Sequence, residues 1–400
     1  MERPGETLVR TLLLTALCLA AVASAGVPPP QGQLIFPLQN KHCHGSSIIE
    51  CPGGDLLACW FYGSGERNAD DVEVQGARLK PGADTWSPVF PMADTPGFPD
   101  CNPVLYVDAQ TRLWMFWISV RANKWEDSIL MFRRAENYEG AGAPEWSWQG
   151  VIALNPGEEF ASSIAAGFKE LDVDESLWGE YAPPYTKLIL EAAKDKLKRQ
   201  LGWMTRIHPI TLASGRILLP LYSDGFNLSL VALSNDTGET WRVSKPIVGL
   251  GPIQPTLVVA QDGTIVAFMR DSGSAPNRVM RATSADHGET WSVARDTDIP
   301  NPGSSLEVIT LTDGRWVMIF NDTEDGRHSL ALALSDDEGQ TWKWKRHLEQ
   351  APAGTGGFAY PSLIQTRDGL LHATYTFDKG QGKSIKHAVL QPEWIANPAE

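Results

Sequence analysis

Short apolar strands that follow tight glycine turns recur along the chain. Six segments share such a turn followed by an almost wholly apolar run: 53–61, 111–117, 214–221, 262–268, 313–320 and 368–375. Glycine supplies the positive φ that two-residue hairpin turns require. Continuous apolar runs are typical of strands that are covered on both faces. Six copies predict an all-β fold, a six-bladed β-propeller.

A polar octapeptide of the form S-x-D-x-G-x-T-W provides a second repeat. It occupies 234–241, 284–291 and 335–342, so its copies start 50 and 51 residues apart. That spacing fits one four-stranded propeller blade, and weaker versions occur at 82–89 and 144–151. The motif contains a hydrogen-bonding aspartate and a turn glycine but no nucleophile or paired acid. We therefore expect Asp236, Asp286 and Asp337 to stabilise hairpins between the last two strands of blades, on the face opposite the chemistry.

The repeat is interrupted once. The second and third apolar segments lie about two blade lengths apart, and the excess, 158–202, lacks strand alternation. Within it Leu190, Ala193, Leu197 and Leu201 follow helical spacing, and Gly202 can cap the end. The pattern predicts a helical insertion between blades 2 and 3, either a lid over the site or a dimer or packing element.

The N-terminus has the layout of a secretory signal. Arg3 and Arg10 precede an apolar run at 12–22, and Ala23-Ser24-Ala25 forms a small-x-small cleavage site. The run is too short to span a bilayer. We expect residues 1–25 to be a signal peptide and 26–400 to be one propeller domain, secreted or periplasmic.

Composition narrows the possible partners. The formal net charge is −14 without a basic cluster, which argues against nucleic acid and anionic membranes as partners. Fifteen tryptophans suit the flat faces of sugar rings as well as β cores. No metal-ligand spacing occurs, so no metal or cofactor is expected. The oligomeric state is left open, and Cys43, Cys51, Cys59 and Cys101 fit either a disulfide or free buried thiols.

Three further segments carry a family resemblance. They are "VAFMRDSG" at 266–273, "NDTEDGRHSL" at 321–330 and "FAYPSL" at 358–363. With the octapeptide repeat, they make the chain resemble the sialidase (neuraminidase) superfamily, including bacterial BNR/Asp-box proteins. The resemblance implies a six-bladed propeller with a central active site opposite the octapeptides. In that family an arginine triad holds a sugar carboxylate, a tyrosine backed by glutamate attacks, and an aspartate serves as acid/base.

The resemblance assigns most of these roles to residues of this chain. It implies Tyr360 as the nucleophile, and Arg270 and Arg327 as ligands of the substrate carboxylate. The segment "ERNADDVEV" occupies the place of the acid/base and offers Asp71 or Asp70, of which Asp71 is preferred.

Two positions depart from the family pattern. His44, in "CHGSS", stands near the place of the first arginine, and Gln254, in "GPIQPTL", stands where glutamate supports the tyrosine. Two arginines can still hold a carboxylate through bidentate forks. Glutamine cannot accept a proton from a phenol, whereas histidine can.

Other polar residues have two readings each. Arg206 and His208 precede an inner strand and are either substrate ligands or a rim ion pair and a satisfied histidine. Asn102 occupies the equivalent place in blade 2 and is either a ligand or a turn former. Glu307 could place a carboxylate in the channel.

These observations favour an exo-sialidase-type glycoside hydrolase that removes a terminal acidic sugar from a glycan. The first alternative is an eliminating lyase, or a rhamnosidase-type enzyme, that acts on uronate-containing glycans with His44 and Tyr360 as base and acid. In that reaction arginine would neutralise the uronate carboxylate and so acidify its C5 proton. The second alternative is a glycan-binding propeller without catalytic activity.

Overall fold

The computed structural model describes residues 27–172 and 185–397. Within these ranges the strands form six separate four-stranded antiparallel sheets. Each sheet is one blade of a propeller, and the first strands of consecutive blades face one another around a central channel. The predicted signal peptide, 1–25, lies outside the described residues.

The first three blades follow one another along the chain. Blade 1 consists of β2 (His42–Glu50), β3 (Leu56–Gly63), β4 (Glu73–Leu79) and β5 (Phe90–Ala93). Blade 2 consists of β6 (Asp100–Val107), β7 (Leu113–Ser119), β8 (Ile129–Ala135) and β9 (Trp148–Val151). Blade 3 consists of β10 (Ile210–Thr211), β11 (Ile217–Ser223), β12 (Leu228–Ser234) and β13 (Arg242–Val243).

The last blade is closed by the N-terminal strand. Blade 4 consists of β14 (Pro252–Val259), β15 (Ile265–Asp271), β16 (Arg278–Ser284) and β17 (Arg295–Pro300). Blade 5 consists of β18 (Glu307–Thr310), β19 (Trp316–Phe320), β20 (Ser329–Ser335) and β21 (Trp344–Gln350). Blade 6 consists of β22 (Gly357–Gln365), β23 (Leu371–Asp378) and β24 (Lys383–Leu390), with β1 (Gln31–Leu34) paired to β24. This pairing joins the two ends of the propeller and leaves blade 6 complete.

The six-bladed architecture predicted from the apolar runs is confirmed. Each run forms the second strand of a blade, and in β7 and β11 every residue is buried. Hydrophobic clusters bridge neighbouring blades; one of them joins blades 3 and 4 through Leu218, Leu233 and Met269. Burial of both sheet faces explains why these strands are apolar throughout.

The octapeptides form hairpins between the third and fourth strands. Asp236 accepts hydrogen bonds from the Thr240 amide (2.9 Å) and hydroxyl, while the Gly238 amide donates to Ser234 Oγ at 2.8 Å. These bonds lower the pKa of Asp236 to about 2. A Cβ added to Gly238, whose φ is +90°, would lie 2.6 Å from the Trp114 ring of blade 2. The turn of blade 3 therefore packs closely against blade 2.

Three helices follow β9 and precede β10: α1 (Glu159–Leu171), α2 (Tyr185–Lys194) and α3 (Lys196–Gln200). Residues 173–184 of the predicted insertion lie outside the described residues. The helical spacing at 190–201 is divided between α2 and α3, because Asp195 accepts hydrogen bonds from the Leu197 and Lys198 amides and caps α3. A short helix, α4 (Glu393–Ala396), follows blade 6. In the two described ranges, none of the helices is long and apolar enough to cross a membrane.

The four cysteines in these ranges are free thiols buried in the blades. Burial raises the pKa of Cys43 to about 12 and that of Cys51 to about 11. The disulfide alternative is therefore wrong for this structure, and the thiols act as small apolar side chains.

Candidate active site

A cavity of about 580 Å³ opens at one end of the central channel. Its lining residues come from strand ends and adjoining loops: His44, Phe61, Glu66, Asn102, Trp125, Tyr222, Asp224, Asn227, Ile253, Gln254, Arg270, Ser272, Arg327 and Tyr360. The strand β11 shows at which end of the propeller the cavity lies relative to the octapeptide hairpins. Its residue Ile217 pairs with Ser234 of an octapeptide, whereas Tyr222 and Asp224 lie at its opposite end. The octapeptide hairpins and the cavity are therefore at opposite ends of the propeller, as predicted.

Bulges in four first strands aim residues at the cavity. The strand register shifts between His44 and Ser47 in β2, and equivalent shifts occur in β6, β14 and β22. Asn102, Gln254 and Tyr360 each lie in one of the other three bulges with a positive φ of 51°, 56° and 53°. Non-glycine residues rarely adopt this conformation, which costs about 1–3 kcal/mol each and is typical of functional sites.

Tyr360 is the most constrained of these residues. Its hydroxyl oxygen accepts hydrogen bonds from Arg270 Nη1 at 2.9 Å and Gln254 Nε2 at 3.2 Å. The Arg327 guanidinium lies 5.2 Å from the ring centroid, and the His44 ring lies at 4.0 Å. Burial alone would raise the pKa of Tyr360, but Arg270 and Arg327 outweigh it, and the pKa falls below its ordinary value.

Arg206 lies beside Tyr360 but does not line the cavity. It is only 2% exposed, and its guanidinium is 5.1 Å from the Tyr360 ring centroid. It donates to the carbonyl oxygens of Ser46 (3.1 Å) and Pro361 (2.9 Å), which belong to the bulges of β2 and β22. Its position therefore fits a residue that supports Tyr360, not the substrate ligand that its sequence position suggested.

His208, which is half-buried, and Glu307, which is buried, form a pair away from the cavity lining. His208 Nδ1 lies 2.5 Å from Glu307 Oε1, and its Nε2 lies 3.0 Å from both Ser47 Oγ and the Ile48 carbonyl oxygen. The other Glu307 oxygen accepts a hydrogen bond from the Leu363 amide at 2.7 Å. Neither side chain lines the cavity, and their bonds connect blades 1, 3, 5 and 6. His208 is therefore a histidine whose ring nitrogens are satisfied by contacts within the protein, which is the second of its two readings from the sequence.

The structure does not bring Asp71 or Asp70 into the cavity lining. The Asp71 carboxylate accepts hydrogen bonds from the Ser64 amide (3.0 Å) and hydroxyl, with Lys41 Nζ 3.3 Å away. These contacts lower the pKa of Asp71 to about 2. Asp70 instead accepts a hydrogen bond from Asn123 Nδ2 at 3.1 Å. Both carboxylates are used to order the loop between β3 and β4.

Two other carboxylates, which the sequence analysis did not single out, do line the cavity. Contact with a His42 ring nitrogen 3.2 Å away holds the pKa of Glu66 below its ordinary value. Asp224 is exposed within the concave wall, where the surrounding protein displaces bulk water and raises its pKa. Two carboxyl groups in one cavity whose pKa values move in opposite directions fit an acid/base site. Glu66 is the group that stays ionised, and Asp224 is the group that retains its proton longer.

His44 and Asn102 lie where the sequence analysis placed them, at the cavity. His44 Nδ1 lies 2.7 Å from Thr376 Oγ1. Burial, and then the positive charge of Arg327, lowers the pKa of His44 well below its ordinary value. The imidazole is therefore neutral at neutral pH. Asn102 Nδ2 donates to the Tyr222 hydroxyl at 3.1 Å.

A proline marks three of these bulges in the sequence. Asn102, Gln254 and Tyr360 are each followed directly by proline, in "CNPV", "IQPT" and "AYPS". Proline donates no backbone hydrogen bond and is confined to strand irregularities. The recurrence of such a pair near the start of three first strands marks the ring of cavity residues.

Comparison with known proteins supports the fold and the family. A family model described as a BNR repeat-like domain matches residues 54–164 and 192–373. An anhydrosialidase from Macrobdella decora is 26% identical over 182 residues, which is 40% of this chain and 23% of that protein. A sialidase from Paraclostridium sordellii is 28% identical over 129 residues, or 28% of this chain and 31% of that protein. The matches thus span about a quarter to a third of these curated relatives.

A solved structure of similar fold is that of a leech intramolecular trans-sialidase in complex with 2,7-anhydro-Neu5Ac. The TM-score is 0.66 at 15% identity, and the match covers 91% of this chain and 71% of the other. At this identity the likeness concerns the fold alone.

Proposed function

We propose, since the chain belongs to the sialidase-like BNR repeat family, that it is a sialidase-type glycoside hydrolase that removes a terminal acidic sugar from glycans. One observation carries the proposal: a phenol and two arginine side chains, which lie far apart in sequence, line the same cavity. The names of the matched relatives favour sialic acid as that sugar.

Arg270 and Arg327 are proposed to bind the substrate carboxylate. Guanidinium groups match carboxylates in shape and charge, and buried pairs of this kind are the strong ones. Both arginines line the cavity and both contact Tyr360, through its hydroxyl and its ring. A sugar carboxylate held between them would place the anomeric carbon next to the phenol oxygen. A cavity of about 580 Å³ has room for one sugar ring and part of its neighbour.

The proposed reaction proceeds in two displacements. Tyr360 attacks as the phenolate. Its oxygen forms a bond to the anomeric carbon while the glycosidic bond breaks, and the electron pair of that bond goes to the leaving oxygen. Asp224 donates its proton to that oxygen, a role that its raised pKa suits. A water molecule then gives its proton to Asp224 and attacks the same carbon. The Tyr360 bond breaks, and the phenolate and the free sugar are released.

A uronate lyase is a second candidate because His44 is neutral beside the arginines. A neutral imidazole could remove the C5 proton of a uronate whose carboxylate is bound by Arg270 and Arg327. The electron pair of the C–H bond would form the new double bond, and the leaving oxygen would take a proton from the Tyr360 hydroxyl. This reaction requires Tyr360 to be protonated at the start.

Product analysis separates these functions. The purified protein is incubated with a sialyl-oligosaccharide and, separately, with a uronate-containing polysaccharide, and Tyr360→Phe serves as the control. The proposal is supported if the wild-type protein releases sialic acid and Tyr360→Phe does not. Chromatography distinguishes the free sugar from an anhydro product. An unsaturated, ultraviolet-absorbing uronate product would establish the lyase instead. Glycan binding without either product would leave a binding module.

Export is a further part of the proposal. It rests on the basic, apolar and small-residue order of residues 1–25. Expression of the full chain in a bacterial host should yield extracellular or periplasmic protein that begins near Gly26. N-terminal sequencing tests this, and an uncleaved cytoplasmic product would contradict it.

A further inference from the structure

We propose that Tyr360 stands in the free protein as a phenolate, stabilised by surrounding hydrogen-bond donors and guanidinium groups instead of being activated by a carboxylate base. Its use as a nucleophile rests on the proposed function above. The ionisation itself does not, because it requires only the residues of the free cavity. The two claims can therefore fail separately.

The Tyr360 oxygen accepts two hydrogen bonds. Arg270 Nη1 and Gln254 Nε2 both donate to it. Within residues 27–172 and 185–397, no side chain or carbonyl group accepts a hydrogen bond from it. A neutral phenol has a proton to donate, whereas a phenolate only accepts. Surroundings that only donate are complementary to the charged form.

Positive charge also lies close to Tyr360. The guanidinium groups of Arg206 and Arg327 lie 5.1 and 5.2 Å from the Tyr360 ring centroid, in addition to the Arg270 contact. Arg206 is held there by two backbone carbonyl oxygens and lies away from the cavity lining, so a bound substrate does not displace it. Of these three cations Arg206 is buried, and Arg270 and Arg327 are partly buried. Positive charge so close to one hydroxyl favours its ionised form.

The other titratable groups near Tyr360 do not reverse this balance. The charge of Glu66 acts on Tyr360 against its ionisation, and Glu66 is paired with His42. The charges of Asp224 and Glu307 act on Arg270 and Arg206, respectively. His44 is uncharged, as argued above. Tyr222 also accepts two hydrogen bonds, but they come from the neutral amides of Asn102 and Gln254. Burial raises the pKa of Tyr222 far above its ordinary value, so this neighbouring phenol keeps its proton. Tyr360 is the phenol of this site that ionises.

Gln254 then helps to stabilise the phenolate. Its amide nitrogen lies 3.2 Å from both the Tyr360 and the Tyr222 oxygens, so one group donates to both phenols. A glutamate here would turn an acceptor and a negative charge towards Tyr360. The opposite amide orientation would turn a carbonyl oxygen towards Tyr360 and require it to keep its proton. Glutamine at 254 is therefore matched to a tyrosine that is already ionised, and it is not a defect of the site.

Ultraviolet difference titration tests the ionisation without substrate. The spectrum of Tyr360→Phe is subtracted from that of the wild type, which leaves the signal of one tyrosine. We expect phenolate absorption at pH values where an ordinary tyrosine, with a pKa of about 10, is still protonated. A difference signal that appears only near the ordinary tyrosine pKa overturns the proposal.

Gln254→Glu is the decisive variant, with Gln254→Met as its uncharged control. We expect Glu to move the Tyr360 titration to higher pH by more than Met does. At pH values below both pKa values, a shift of one unit leaves about one tenth of the phenolate and lowers kcat about tenfold. Faster turnover by Gln254→Glu would show that Tyr360 needs a base and would overturn the inference. Thermal melting identifies misfolded variants. Arg270→Lys provides a second test of the same shift, because it weakens a hydrogen-bond donor of Tyr360 without adding an acceptor.

A low-pH phenolate signal without release of any sugar would uphold the inference and refute the proposed function. Sugar release by a protein whose Tyr360 titrates near the ordinary tyrosine pKa would support the proposed function and refute the inference. The lyase alternative, which needs a protonated Tyr360, predicts this second titration result together with an unsaturated product.

Discussion

Asp100 is predicted to make the stability of the propeller depend on pH. This residue begins β6, two residues before Asn102, and is fully buried. Its carboxylate oxygens accept hydrogen bonds from the Thr95 amide at 2.6 Å and the Trp117 indole at 3.0 Å. Burial nevertheless dominates and raises its pKa from 3.8 to about 6.

The sign and size of the effect follow from this shift. The folded state holds the Asp100 proton more tightly than the unfolded chain, so its contribution to stability is complete below pH 3.8 and is lost as the pH rises to about 6. A difference of about two units corresponds to about 3 kcal/mol at about 1.4 kcal/mol per unit. Asp100→Asn removes the titration and therefore this pH dependence.

Urea unfolding of the wild type and Asp100→Asn at about pH 4 and about pH 7 measures the prediction. The asparagine amide cannot accept from both donors, so a constant offset between the two proteins is expected. What matters is the change in that offset, which should favour the variant by about 2 kcal/mol more at the higher pH, because part of the full effect is already lost at about pH 4. An offset that is equal at both pH values would refute the reasoning, because the ionised carboxylate would then carry no cost of burial.

Three further predictions separate the supporting structure from the site. Gly238→Ala places a Cβ 2.6 Å from the Trp114 ring at a φ of +90°, so the free energy of unfolding should fall by about 2 kcal/mol in urea titrations while KM is unchanged. Asp286→Ala removes the hydrogen bonds from the Thr290 amide and hydroxyl and should lower the thermal midpoint by a few degrees, with kcat retained; a loss of kcat would give the octapeptide a catalytic role. Arg327→Met should lower kcat/KM for a sialoside about 30-fold, since a charged hydrogen bond contributes about 2 kcal/mol, and steady-state kinetics against an uncharged glycoside serves as control.

The fold could be predicted because a blade is a local unit. Each of the six second strands lies next to its own turn in the sequence, and its apolar character follows from burial on both faces. The octapeptide spacing then gives the blade length directly. The repeat also indicated which end of the propeller to exclude, since Asp236 and its counterparts bind only their own hairpins and neighbouring blades.

The cavity was harder to predict because it combines side chains from all six blades. The loop between β3 and β4 contains Glu66, Asp70 and Asp71, and sequence alone does not tell which carboxylate faces inward. The hydrogen bonds from Ser64 draw Asp71 away from the lining, whereas Glu66 remains there. Asp224 follows β11 of a different blade and has no motif that marks it.

Arg206 illustrates the same limit for buried groups. Its position after the insertion predicted that it would reach the site, and it does lie near Tyr360. Its two backbone partners, in blades 1 and 6, come together only in the closed propeller. Whether an arginine binds substrate or supports another residue depends on such contacts, which no local pattern in the sequence records.

Covalent trapping on Tyr360 tests the central claim most directly. The protein is treated with a fluorinated sialosyl donor, which slows release of the enzyme-bound sugar, and the modified peptide is identified by mass spectrometry. The proposed mechanism predicts one sugar attached to Tyr360 in the peptide that contains "FAYPSL", and no adduct in Tyr360→Phe. Turnover of a sialoside with the adduct on another residue, or turnover that persists in Tyr360→Phe, would contradict it.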